Sequence, residues 1–277
     1  MASLPARGAG VRRLGLALPP ARMPPLRAGR PLKRWRYVGV YTPQLMLCVG
    51  EASVAGVPQR WWALALPDGS LLERTTTRRG GVRLGSGRVE VQARAASGAR
   101  VSIELALDEP EPVEVASAHG RSYIWTAKRA PVGVRGRVAA GGHNWDLDGM
   151  HGFVDDSAGY HAHRTAWRWS AGIGRSREGE SVAWNLVEGV HDSPERSERT
   201  VWVDGEPREA GPVKFAPGLA GVGDLQFTEW SRREHRMSRG LARSSYSQPF
   251  GSFTGRLPGG PELAEGHGVM EEHDVRW

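Results

Sequence analysis

A single cysteine among 277 residues, Cys48, excludes an internal disulfide and leaves any thiolate metal site without a second cysteine. It lies in the apolar run Leu45-Met46-Leu47-Cys48-Val49, so it reads as a small buried side chain rather than a nucleophile. A chain without disulfides suits a reducing compartment, and a cytoplasmic location is expected. No stretch approaches the roughly 20 apolar residues of a spanning helix, so no integral membrane segment is expected. Neither a phosphate-binding glycine loop nor a Gly-x-Ser-x-Gly nucleophile elbow occurs. Gly141-Gly142-His143, the nearest approach, has no helix pattern after it.

Acidic residues are missing from the first 36 positions, which hold nine basic ones. The other 241 residues carry 28 basic and all 30 acidic residues, so the net charge of +7 comes from the N-terminal segment and the body stands at −2. Only Trp35 accompanies that basic segment. Single-strand binders interleave several aromatics with their charges, so no nucleic-acid partner is expected. Five residues of apolar core (Leu14 to Leu18), ended by Pro19-Pro20, are too few for a secretory signal. Residues 1–34 read as an irregular Pro/Arg-rich lead-in. Having no periodic apolar face, the segment is expected to be dispensable for stability up to about Pro31, so that deleting residues 2–24 leaves Tm nearly unchanged.

What is abundant points to β structure. Glycine numbers 37, as many short turns require. Apolar residues alternate with polar ones in Val89-Glu90-Val91-Gln92-Ala93, Val101-Ser102-Ile103-Glu104-Leu105 and Val113-Glu114-Val115. These runs are punctuated by Pro67-Asp68-Gly69, Ser86-Gly87 and Ser97-Gly98. No long window carries a capped i, i+3, i+4 stripe; Glu229–Arg243 is the best candidate for helix or irregular chain. The expected class is all-β and antiparallel, of sandwich or barrel type. The length accommodates two β units, and the small-residue stretch Ala139–His143 places them at 35–140 and 141–277.

Eight of the nine histidines lie beyond residue 140. Read as a strand from His161, one face carries His161, His163, Thr165, Trp167 and Trp169, and the tryptophans make it the buried one. Such a face suits a pocket wall with a polar mouth. Asn185 and His191 share a face of the next strand pattern. At the C-terminus, Val269, Glu271, His273, Val275 and Trp277 share one face. A carboxylate there is buried among apolar groups and must be paired or carry a raised pKa. Glu271, His273, His161 and His163 are therefore the candidate acid–base residues. Trp167, Trp169, Asn185, His191, Tyr160, Tyr246 and Asp156 are the candidate ligand-binding ones. A Glu271–His273 or Glu271–arginine pair that merely pins the C-terminus is the structural alternative.

Lys33-Arg34-Trp35-Arg36-Tyr37, Val40-Tyr41-Thr42-Pro43, the Asp155–Trp169 block, Trp184-Asn185-Leu186-Val187, Ser245–Gly251 and Gly268–His273 resemble the bacterial domain-of-unknown-function 2804 family. The resemblance spans roughly Pro19 to Trp277. It implies kinship with lipocalin-like (calycin) proteins such as the AttH type, carotenoid hydratases and tocopherol cyclases. A lipocalin-like β-barrel architecture around an apolar cavity would follow, but the family supplies no catalytic residues. The expected partner is a hydrophobic small molecule of isoprenoid or polyketide type, without a cofactor. It would be isomerised, cyclised or hydrated by acid–base chemistry, or simply carried. A metal held by His161, His163 and Glu271 or His273 is the remaining alternative, although no spacing motif fixes it.

Overall fold

The computed structural model describes residues 3–77, 81–239 and 242–276, with only the backbone at 239 and 242. The chain is almost entirely antiparallel β, as the alternation requires. A 12-stranded sheet is built from residues up to Gly159, and an 8-stranded sheet from Arg164–Ser176 onward.

In the first sheet, Lys33–Tyr41, Met46–Val54, Val57–Ala65 and Leu71–Thr76 form a meander. Lys33–Tyr41 then pairs with Met150–Gly159, which pairs with the long strand Ser122–Ala140. The far edge of that long strand is occupied in two pieces. Arg100–Asp108 covers its C-terminal half and Val113–His119 its N-terminal half. The sheet curls until Met46–Val54 meets Val82–Gly85. Val38, Val40, Leu47, Val49, Ile103 and Val134 fill the space inside. In the second sheet, Arg164–Ser176 pairs with the C-terminal strand Glu262–Arg276 on one side and with Ser181–Glu188 on the other. Its outer face closes over Trp184, Leu186, Phe253 and Met270.

The remaining faces of the two sheets meet. Tyr37, Met46, Cys48, Ala63 and Phe153 from the first pack against Trp169, Ala171, Val187, Phe250 and Val269 from the second. Both sheets are thus apolar on both faces through much of their area. Glycine permits the closest approaches. A Cβ at Gly50 would lie 2.1 Å from the ring of Trp61, its cross-strand partner, so the indole lies flat over that position. Cys48 is fully buried in this layer, and burial pushes its thiol up to about 11.

Four expectations change. Within Glu229–Arg243 the described residues are strand rather than helix or irregular chain, because Leu225–Arg239 and Ala242–Arg256 pair along their length; Gly240 and Leu241 lie outside the described residues. The inward residues Arg233, His235 and Met237 line a cavity, so no apolar face marks the segment as a strand. Gly141-Gly142 does not separate two units. It turns Ser122–Ala140 back into His143–Asp146 of the same sheet, and the passage between sheets comes at residues 160–163. The second strand pattern begins at Arg164, not His161, so alternation does not carry back to the two histidines.

The fourth change concerns the N-terminal segment, which is irregular but not a loose lead-in. Ala6–Arg7 adds to the edge of Val113–His119. Val11, Leu18 and Met23 are buried against Tyr123, Trp125 and Tyr160. The Arg12 guanidinium meets Glu114, and the Tyr123 and Tyr160 hydroxyls donate to the Ala17 and Pro24 carbonyls, each at 2.7 Å. Sparse apolar residues without a period gave no sign of this, because an irregular chain buries them one at a time. Removing residues 2–24 deletes Val11, Leu18 and Met23, whose burial is worth roughly 1.5–3 kcal/mol each, and uncovers Tyr123, Trp125 and Tyr160. A drop of about 10 °C or more in Tm is expected by calorimetry; an unchanged Tm would show that the segment does not dock.

Candidate functional site

Where the inner faces of the two sheets diverge they leave a cavity of about 260 Å³. Its aromatic walls come from both sides. Trp35, Tyr37 and Trp61 project from the first sheet, Trp167 and Trp169 from the second. Trp35 stacks on Trp167 across the gap, with centroids 6.5 Å apart and planes 7° from parallel. Tyr37 meets Trp169 edge-on at 5.5 Å. Neither sheet holds the cavity alone, so the expectation of a site confined to residues 141–277 gives way to one shared between the sheets.

Register explains the order of side chains across the second sheet. Glu271 lies opposite Trp169, and His273 lies between Trp167 on one side and Tyr246 on the other. His235 pairs with Tyr246 in the next strand, and Arg233 with Gln248. Alternation in the C-terminal strand therefore places Glu271 and His273 where the sequence indicated, facing inward beside Val269 and Val275.

Glu271 is held by uncharged donors. Trp167 Nε1 donates to its Oε1 at 2.8 Å, while Tyr246 Oη and Gln248 Nε2 donate to its Oε2 at 3.0 and 3.1 Å. Burial raises its pKa, and the Trp167 and Tyr246 bonds offset part of that rise. Arg233 is near, but its guanidinium is engaged by Glu73 at 2.7 Å. His273 does not pair with Glu271. Its Nε2 meets Ser244 Oγ at 2.8 Å, its ring lies 4.5 Å from that of Trp167, and burial lowers its pKa to about 4. Among the described residues, neither pinning pair, to His273 or to an arginine, is therefore formed.

A second polar centre faces in from the first sheet. Lys128 and Asp155 are direct cross-strand partners, with Nζ and Oδ2 2.8 Å apart, and Glu198 Oε1 lies 3.5 Å from the same ammonium. One buried cation thus serves two buried carboxylates. Burial raises Glu198 to about 7, against the pull of Lys128 and with the push of Asp155. Burial lowers Lys128, but the two carboxylates outweigh it and its pKa is raised. The loop bearing His191 and Glu198 is clamped from within. Arg199, nearly inaccessible, donates to the carbonyls of Asp192 at 2.9 Å and Ser193 at 2.6 Å. Arg7 of the N-terminal segment bonds Ser197 O and Thr200 Oγ1 on the same loop.

His191 lines the cavity, its Nδ1 2.9 Å from Ser117 Oγ. His161 also lines it, 5.0 Å from the ring of Trp35. Asn185 stands behind the wall, accepting from Trp169 Nε1 at 2.7 Å and so fixing that indole. Three expected residues lie elsewhere. His163 is exposed and accepts from Arg276 Nε at 3.1 Å, because residues 160–163 are not strand. With His161 inside and His163 outside, the two cannot share an ion. No cluster able to hold a metal occurs among the described residues. Tyr160 binds the N-terminal segment instead, and Asp156 points away from the cavity to Arg36 and Arg129, at 2.6 and 2.8 Å.

Asp155, Lys128 and Glu198 were missed by sequence reasoning. Asp155-Asp156 resembles a turn, and only the strand Met150–Gly159 shows that they face opposite ways. Glu198 sits in Glu195-Arg196-Ser197-Glu198-Arg199, which reads as a solvated charge run. Lys128 gave one sign, a lone charge on the strand face that also carries Ile124, Thr126 and Ala130.

A carboxyl raised in the folded state binds more protons than it does unfolded. Glu198 therefore costs stability progressively as pH rises from about 4.5 to about 7. The buried histidines, whose pKa values are lowered, act in the opposite sense below 6.5. Comparison with Glu198→Gln isolates the carboxyl. Between pH 5 and 7.5 the wild type should lose stability relative to the variant in urea titrations; parallel curves would contradict the protonated Glu198.

No curated protein matches the sequence. Three solved structures are similar overall. A candidate AttH of Nitrosomonas europaea is 14% identical with a TM-score of 0.48, covering 94% of this chain and 98% of its own. CghA with Sch210972 is 11% identical with a TM-score of 0.47, covering 95% of each chain. Kievitone hydratase from Nectria haematococca is 10% identical with a TM-score of 0.49, covering 87% of this chain and 88% of its own. The model of one family, described only as a domain of unknown function (DUF2804), matches residues 52–277, and the chain belongs to that family.

Proposed function

We propose that the protein is an enzyme that isomerises, cyclises or hydrates a hydrophobic small molecule by proton transfer in the cavity between its sheets. The observation that carries this reading is the placement of Glu271. A carboxyl 9% exposed, with neutral donors and no cation of its own, faces an enclosure walled by indoles. Burial raises this carboxyl above the usual carboxylate range, toward the protonated form that can donate. The charge of Asp155 across the cavity raises it further, and the smaller effect of Arg233 lowers it.

The chemistry then needs only this chain's residues. The Glu271 carboxyl gives its proton to an alkene or carbonyl of the ligand. Positive charge developing in the ligand faces the rings of Trp167 and Trp169, which attract it through their π clouds. The carboxylate left behind is stabilised by Trp167, Tyr246 and Gln248. It recovers a proton when the ligand loses one from a neighbouring carbon, which completes an isomerisation or cyclisation. In a hydration, the proton comes from the water that adds.

Extraction and mass spectrometry of whatever co-purifies should return an apolar molecule containing an alkene or ring system. With that molecule as substrate, Glu271→Gln keeps the shape and removes the proton, so turnover should fall by roughly 10²-fold or more. Binding and Tm should stay near wild type. Unchanged turnover in Glu271→Gln would contradict the acid role, and binding without any wild-type turnover would make the protein a carrier.

A further inference from the structure

The acid–base reading leaves one end of the cavity unused, and that end carries two buried imidazoles. His161 and His191 are 3% and 7% exposed and both line the cavity. Each has a ring nitrogen shielded from solvent and without a well-formed hydrogen bond, Nδ1 of His161 and Nε2 of His191; the Gly159 backbone is the weakest of the influences on the His161 ring. A buried polar atom left unpaired is costly, so two of them on one wall call for an explanation. The neighbouring strand positions both rings. Ser117 and His119 are two residues apart on the strand Val113–His119 and share its inward face. Ser117 Oγ fixes the His191 ring, and the His119 ring lies 5.5 Å from that of His161.

We propose that His161 and His191 form a recognition site for a hydroxyl group, so that the ligand is a neutral apolar molecule bearing an alcohol, phenol or enol. This rests on the reading of the cavity as a binding site for a hydrophobic molecule. Burial keeps both rings neutral, helped by the positive charges of Lys33 beside His161 and Lys128 beside His191. A neutral imidazole offers one N–H and one lone pair. A hydroxyl both donates and accepts, so it satisfies either tautomer; a carboxylate only accepts. Charge points the same way. Among the described residues that line the cavity, Lys128 is already shared by Asp155 and Glu198, and Arg233 is bound by Glu73. A carboxylate ligand would have to compete with those carboxylates for a cation, whereas a hydroxyl brings no charge. The other groups facing this end are Trp35 and His119, whose ring burial and the charges of Arg30 and Lys33 keep neutral.

Three probes of one shape test the assignment: 2-naphthol, naphthalene and 2-naphthoate, each titrated calorimetrically into the full-length protein. The inference predicts that 2-naphthol binds about 10-fold more tightly than naphthalene, the scale of a hydrogen bond to an otherwise unpaired buried group, and that 2-naphthoate binds most weakly. The preference for naphthol over naphthalene should shrink to about 2-fold or less in His161→Phe, and should survive in Glu271→Gln. Imidazole nitrogen resonances of His161 and His191 should shift when 2-naphthol is added to the wild type, a readout that needs no variant. Equal binding of naphthol and naphthalene overturns the hydroxyl site while leaving the hydrophobic cavity standing. Tightest binding of 2-naphthoate overturns it in favour of an anion site. Failure of all three to bind overturns both the hydroxyl site and the ligand cavity beneath it.

Discussion

Each of the two sheets has to bury both of its faces, and the site is what remains where that burial fails to close. The first sheet curls around Val38, Leu47, Ile103 and their neighbours, and the second folds over Trp184, Phe253 and Met270. The two remaining faces, pressed together through Tyr37, Cys48, Phe153, Trp169 and Val269, leave no solvent-facing side on which charge is cheap. Any ionisable group on these inner faces is therefore taken from water. Glu271, Glu198, Lys128 and Arg233 are all in this position, and each is held by named partners rather than by solvent.

The two acid centres solve that problem differently. Lys128, Asp155 and Glu198 share one cation between two carboxylates, so one proton is retained with the pair near neutrality. Such a buried group is weak evidence of stabilisation, since apolar residues of equal size would pack the layer without a desolvation cost. Glu271 makes no ion pair among the described residues and is held by an indole, a phenol and an amide. The first arrangement fixes charge in the wall; the second, on the proposed reading, supplies the proton. The N-terminal segment contributes indirectly, because Arg7 and the Arg199 clamp hold the loop that brings His191 and Glu198 to the cavity.

Much of this was legible wherever strands alternate cleanly. The inward face of Val269, Glu271, His273 and Val275 follows from period 2 alone, as does the pairing of Trp167 with Trp169 on one side. Legibility ended where regular structure ended. His161 and His163 differ by the same two residues, yet one is buried and the other exposed, because residues 160–163 form a connection. It ended also where polar residues line a cavity: Arg233 and His235 broke the apolar stripe of Leu225–Arg239. Lys128 and Asp155 required knowledge of cross-strand register, which no local pattern contains.

The central claim is that Glu271 stands in the cavity as a neutral acid. Difference infrared spectroscopy between wild type and Glu271→Gln at pH 6 tests it most directly, because a protonated carboxyl has a carbonyl band distinct from those of the carboxylate. A protonated-carboxyl band present in the wild type and missing from the variant is the predicted result. A difference spectrum containing only carboxylate bands at that pH would contradict the account.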